Sequence, residues 1–214
     1  MNDTISLRNA APVTIEIAQA IIDARDHLSE IDGATGDGDH GVNMAKGFRL
    51  VIERLSGKDV DLREGFATIG DTLLSDIGGS MGPLYGSFFT EMSDALDGKQ
   101  TIDPQLLGVM LAAGEAAIVD LGEAKVGDKT LIDVLTPSRI AVEATARDGG
   151  DLRATLSALR EAAAAGLEST RDLVARRGRA ARLGERSRGV LDAGAASCEL
   201  ILRTLADGLS RRLL

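Results

Sequence analysis

The chain has 214 residues and a mass of 22.3 kDa; 44% of its residues are hydrophobic, 27% charged and 2% aromatic, and Trp is absent. That length supports a single domain over residues 1–214, and the composition excludes a disordered or collagen-like chain. A formal charge of −9 and a sequence pI near 4.8 exclude a generic nucleic-acid surface, which needs basic groups to displace counterions.

With so few aromatic side chains, the core falls to Ala, Leu, Ile and Val, which suit close helix packing better than a sandwich of strands. Hydrophobic residues recur at steps of three and four almost everywhere. The first helix is expected over residues 13–31, followed by a glycine-rich joint at 33–41. A second covers 42–55. In the third, 60–77, Leu62, Phe66, Ile69, Leu73 and Ile77 lie on one stripe. Further helices are expected over 84–96, 104–121, 130–146, 151–174 and 195–209, with Asp151 where an N-terminal turn favours an acid. No run alternates long enough to make a strand. The fold class is therefore all-α, an eight-helix up-and-down antiparallel barrel or bundle. The joints at 33–41, 78–83, 122–129 and 176–194 follow helices one, three, five and seven and share one end, which collects most of the residue types able to do chemistry.

The single Cys198 supports neither a disulfide nor a thiolate metal site and reads as a core residue. No basic stretch precedes an apolar run at the amino terminus, and no apolar stretch approaches ~18 residues. A soluble, cytoplasmic protein with no membrane partner is expected.

Four joints carry motifs. Asp32, Asp37 and Asp39 lie within eight residues and are separated by glycines, so a tight fold would bring hard oxygen ligands together for Mg²⁺ or Ca²⁺. An EF-hand is excluded because Phe48 stands where its bidentate Glu belongs. Gly36, Gly38 and Gly41 match a dinucleotide fingerprint formally, but a helix precedes them where that fold needs a strand. The plainer alternative is that these acids form turns and cap the next helix. Gly78-Gly79-Ser80-Met81-Gly82-Pro83 reads as a helix N-terminus open to an anion, or as glycines chosen for close packing. Gly122 to Thr130 narrowly misses the P-loop pattern because Asp128 is inserted before Lys129, which either faces the rim or stands as a solvated lysine at a helix start. The stretch 176–188 holds six Arg and one Glu, a focus of positive charge in an acidic chain, suited to nucleotide or partner contact or else simply solvated.

Taken together, Asp32 with Gly36-Asp37-Gly38-Asp39-His40-Gly41, Asn43-Met44, the 78–86 stretch, Gly127-Asp128-Lys129-Thr130, Gly178-Arg179-Ala180 and Leu183-Gly184-Glu185-Arg186-Ser187 resemble the L subunit of dihydroxyacetone kinases. The resemblance implies a helical barrel that binds ADP or ATP at its rim with Mg²⁺, two ions in number, on Asp32, Asp37 and Asp39. It assigns nucleotide contact to His40, Gly41, Val42 and Asn43, phosphate contact to Gly79, Ser80 and Met81, and the adenine side to Gly122 and Leu131. Arg179 with Asp192, Ala193 and Gly194 would close the pocket. Two positions depart from the family pattern: Met81 replaces a common Ser, and Ala193 replaces a Pro. No general base or nucleophile is assigned, because the resemblance places the ketose on a separate K subunit. A phosphoprotein of the sugar phosphotransferase system, the M subunit, is the implied donor where ADP stays bound, and a homodimer is expected. A nucleotide-binding regulatory subunit that engages a transcription regulator, and a kinase subunit for another ketose such as erythrulose, retain the same motifs.

Overall fold

The computed structural model describes residues 4–213. Among them, ten α-helices run in order: α1 (Leu7–Ala10), α2 (Pro12–Asp23), α3 (Arg25–Gly33), α4 (His40–Leu55), α5 (Leu62–Asp76), α6 (Met81–Asp94), α7 (Pro104–Gly122), α8 (Ile132–Arg147), α9 (Leu152–Ser169) and α10 (Ala193–Ser210). Eight of them close a ring. α4 packs on α5, α5 on α6, α6 on α7, α7 on α8, α8 on α9, α9 on α10, α10 on α2, and α2 returns to α4. The expected eight-helix barrel is this ring, with α1 and α3 as additions to it.

Four helices, α5, α7, α9 and α10, start where an Asp satisfies one of their first free N–H groups. Asp61 and Glu64 form a reciprocal capping box at α5. Asp103, Asp151 and Asp192 accept from the backbone N–H of Leu106, Ala154 and Ala195 at 2.7, 2.7 and 2.8 Å. Apolar stripes such as Ile17 and Ile21, Leu73, Leu107, Leu135, Leu159, Leu202 and Leu205 fill the interior. The four Phe residues gather in one place rather than scattering: Phe89 lies 6.3, 5.5 and 5.1 Å from the ring centres of Phe48, Phe66 and Phe88.

Several expectations are corrected. The helix anticipated at 13–31 breaks at Ala24, whose ψ of 3° turns the chain so that α3 lies along the start of α4. Gly41 makes that approach possible, since a Cβ there would collide with the Arg25 carbonyl. The helix anticipated to reach residue 174 stops at Ser169 and passes into a 3₁₀ turn, Thr170–Asp172. A strand pair exists where none was expected: Ile5–Ser6 pairs antiparallel with Thr101–Ile102 and ties the start of the chain to the α6–α7 connection. Two residues are too few to show a period of two. Finally, α7 is long and apolar enough to cross a membrane by length and composition, contrary to the sequence reading. It stands as a stave of the ring between α6 and α8, and Glu115 in it pairs with Arg139 of α8.

Candidate functional site

The connections after α3, α5, α7 and α9 open onto one cleft of about 720 Å³. Asp32 enters it from the last turn of α3, and its carboxylate accepts from the His40 N–H at 3.4 Å. Gly38, at φ +77°, lets the chain reverse between α3 and α4, which brings the carboxylates of Asp32, Asp37 and Asp39 within 4.8 Å of one another. Asp39 precedes α4 but makes no capping bond, so the turn-and-cap alternative does not account for it. Three convergent carboxylates fit a hard divalent cation, which prefers oxygen ligands. Across from them, the exposed Arg179 guanidinium pairs with Asp37 and lies 3.8 Å from Asp39.

A second feature adjoins these acids. α6 starts at Met81 after Gly79, at φ +74°, and Ser80 provides no side-chain cap. The first turn of α6 is thus uncapped, and that of α4 is met only by Asp32 at the His40 N–H, so the N–H groups and dipole at the start of α6 favour an anion. Apolar side chains of Met81, Leu84, Ile118 and Leu131 line the same cleft and give it a surface suited to a flat apolar group.

Beneath the site runs a buried hydrogen-bonded group that sequence reading missed. His40 Nε2 lies 2.9 Å from Ser197 Oγ, which is 2.6 Å from the Tyr85 hydroxyl, and both hydroxyls reach the Gly194 carbonyl at 3.0 Å. Burial lowers the His40 imidazole to about 4, against the pull of Asp32, so the ring is neutral at pH 7. The same burial raises Tyr85 well above its ordinary value. Asp192, partly open to the cleft, has its carboxyl pushed up to about 6 by burial, offset in part by the Ala195 N–H and the charge of Lys129.

Asp133 organises the α7–α8 connection by accepting from Gly127 N–H at 2.6 Å and Thr130 N–H at 2.7 Å. Lys129 follows in a left-handed conformation, φ +61°, a strain of about 1–3 kcal/mol for a residue other than glycine. It is not the solvated lysine that sequence reading allowed: it is 1% exposed. Burial lowers its ammonium from the ordinary lysine value, and Asp192 draws it back.

Of the sequence-predicted residues, Asp32, Asp37, Asp39, His40, Asn43, Gly79, Ser80, Met81, Gly122, Leu131, Arg179, Asp192, Ala193 and Gly194 all border the cleft. Gly41 and Val42 do not. Gly41 is buried against α3, and Val42 is 51% exposed on the outside of α4. Residues 34–207 match the family model described as the DAK2 domain. The chain is 41% identical over 179 residues to the ADP-binding subunit DhaL of PEP-dependent dihydroxyacetone kinase 1 from Listeria innocua, covering 83% of this chain and 84% of that one. The corresponding subunit from Escherichia coli is 36% identical over 182 residues, covering 85% and 87%. An L-erythrulose 1-kinase from Mycolicibacterium smegmatis is 36% identical over 95% of this chain, which spans 36% of that enzyme. The solved dihydroxyacetone kinase of C. freundii in complex with AMP-PNP and Mg²⁺ superposes with a TM-score of 0.70 at 28% identity, over 92% of this chain and 33% of that one. The chain belongs to the DAK2-domain family, among the L subunits of dihydroxyacetone kinases.

Proposed function

We propose that the chain is the nucleotide-binding phosphotransfer subunit of a dihydroxyacetone kinase, with Asp32, Asp37 and Asp39 holding two Mg²⁺ ions at the phosphates of ADP or ATP. The observation that carries this reading is the convergence of three carboxylates beside the uncapped N-terminus of α6 in one cleft. Bound Mg²⁺ supplies charge neutralisation that a phosphate chain needs in a protein already at −9.

The chain's own residues then bind and orient. The free first-turn N–H groups of α6 would meet phosphate oxygens, and Met81 would contribute its N–H and apolar stem without a hydroxyl. Leu131 and Gly122 flank the base. Arg179 is bound to Asp37 and Asp39 through half-exposed ion pairs, which are weak enough to exchange for phosphate. Neutral His40 holds the start of α4 against α10 through Ser197. No residue here serves as base or nucleophile. The ketose is presented by a K subunit, to which this chain docks as a homodimer. Relatives named as ADP-binding subunits at 41% and 37% identity favour ADP kept as a coenzyme and rephosphorylated by a phosphotransferase-system M subunit.

The test is retention. Chain purified with Mg²⁺ should carry ADP through gel filtration and release it on chelation with EDTA. A chain that binds neither ADP nor ATP by calorimetry, with Mg²⁺ present, overturns the proposal.

A further inference from the structure

The Arg-rich excursion leaves the ring at the end of α9 and returns at Asp192. Of residues 173–190 only Ala175 and Ser187 are buried, so little apolar surface holds this segment to the body. Its two ends meet at one side chain. Lys129 Nζ donates to the carbonyls of Thr170 at 2.6 Å and Leu173 at 3.3 Å on the outgoing strand of chain, and to Val190 at 2.6 Å on the return. An ammonium has three protons. Three carbonyls engage them, so none is directed at a phosphate, although Lys129 borders the cleft and sits in a stretch that nearly matches a phosphate loop.

We propose that Lys129 is a positioning residue, the pin that closes the neck of the 173–190 segment and thereby sets where Arg179 stands over Asp37 and Asp39. Neighbouring bonds run the same way. The Asp192 N–H donates to Thr170 Oγ1 at 3.1 Å, and the Gly189 N–H donates to the Arg171 carbonyl at 2.8 Å. Arg177 secures one flank by donating to the Glu123 carbonyl at 2.7 Å. The Arg188 guanidinium also donates to the Asp172 carbonyl and the Ala175 N–H to Ser187 Oγ, but only the Lys129 ammonium is a buried charge shared among three acceptors, where such bonds are strongest. Loss of the pin removes three bonds at once, two on the outgoing end of the segment and one on the return, and loosens the neck.

The consequence for ligand binding rests on the nucleotide reading above; the consequence for the segment does not. Lys129→Met keeps the apolar stem and removes the charge. Trypsin should then cut after the arginines of the 176–188 stretch about tenfold faster, with far-ultraviolet circular dichroism unchanged, because local opening exposes the segment without unfolding the ring. Mg²⁺–ADP affinity should fall by about tenfold, and Arg179→Ala should cost nothing further in that background, as coupled sites require. An unchanged cutting rate, or fully additive effects of the two substitutions, overturns the proposal. Faster cutting in a protein whose unsubstituted form binds no nucleotide leaves the pin standing and removes the nucleotide reading instead. Should Lys129→Met fail to fold, the unsubstituted chain decides: nitrogen NMR of the Lys129 side chain should show slowly exchanging ammonium protons with hydrogen-bond couplings to the Thr170 and Val190 carbonyl carbons. An ammonium in free exchange with solvent refutes the pin.

Discussion

Two glycine-rich connections on the same rim use the same residue types for opposite ends. Between α3 and α4, Asp37 and Asp39 accept no hydrogen bond from the chain among the described residues and pair only with the exposed Arg179. Between α7 and the first turn of α8, the buried charges are engaged internally: Asp133 by two backbone N–H groups, Asp128 by the Lys125 N–H at 3.1 Å, Lys129 by three carbonyls. The first connection leaves its acids with Arg179 as their one partner among the described residues. The second is a strut. Glycine and aspartate in a loop therefore say little until the partners of each carboxylate are known.

This contrast can be broken in several ways. The largest effect is expected from Asp37→Asn with Asp39→Asn, which should lower Mg²⁺-dependent nucleotide affinity by about a hundredfold or more in calorimetry while leaving folding stability within ~0.5 kcal/mol. An unchanged affinity would remove the metal assignment. Asp133→Ala should do the reverse, destabilising the fold by about 2 kcal/mol in urea unfolding, because two part-buried N–H groups lose their acceptor.

Asp192 sharpens the comparison by pH. Its folded carboxyl titrates at about 6, above the ordinary 3.8, so between those values the folded chain holds a proton that the unfolded chain has released. The stability it contributes is complete below about pH 4 and is lost as pH rises through 6. Asp192→Asn removes that dependence, so unfolding measured at pH 4 and pH 7 should show the variant gaining about 2 kcal/mol on the parent at the higher pH. The smallest effect belongs to Val42→Ala. With Val42 half-exposed outside the cleft, nucleotide affinity should stay within about twofold.

The staves of the ring were legible because each buries one stripe, and a stripe is written in the spacing of Leu, Ile and Phe. The rim was legible as well, since Asp32, Asp37 and Asp39 are close in sequence. The break at Ala24 was not, because no Gly or Pro marks it and the packing it leads to depends on Gly41, on another helix. Lys129 was misjudged for a related reason: the carbonyls that make its burial tolerable are 41 to 61 positions away. Ser197 and Tyr85 stand in separate helices, and only contact across 112 positions makes them a pair. A lone tyrosine opposite a serine in an apolar helix was the one available hint.

The scarcity of aromatic residues has an experimental corollary. With no tryptophan, the near-ultraviolet absorbance and intrinsic fluorescence of the chain belong almost wholly to Tyr85, whose hydroxyl lies at the cleft's edge against Gly194. A co-purified adenine nucleotide would dominate such a faint spectrum at once, and its departure would register in the emission of a single native fluorophore. The molecule carries its own occupancy gauge, with no label to attach.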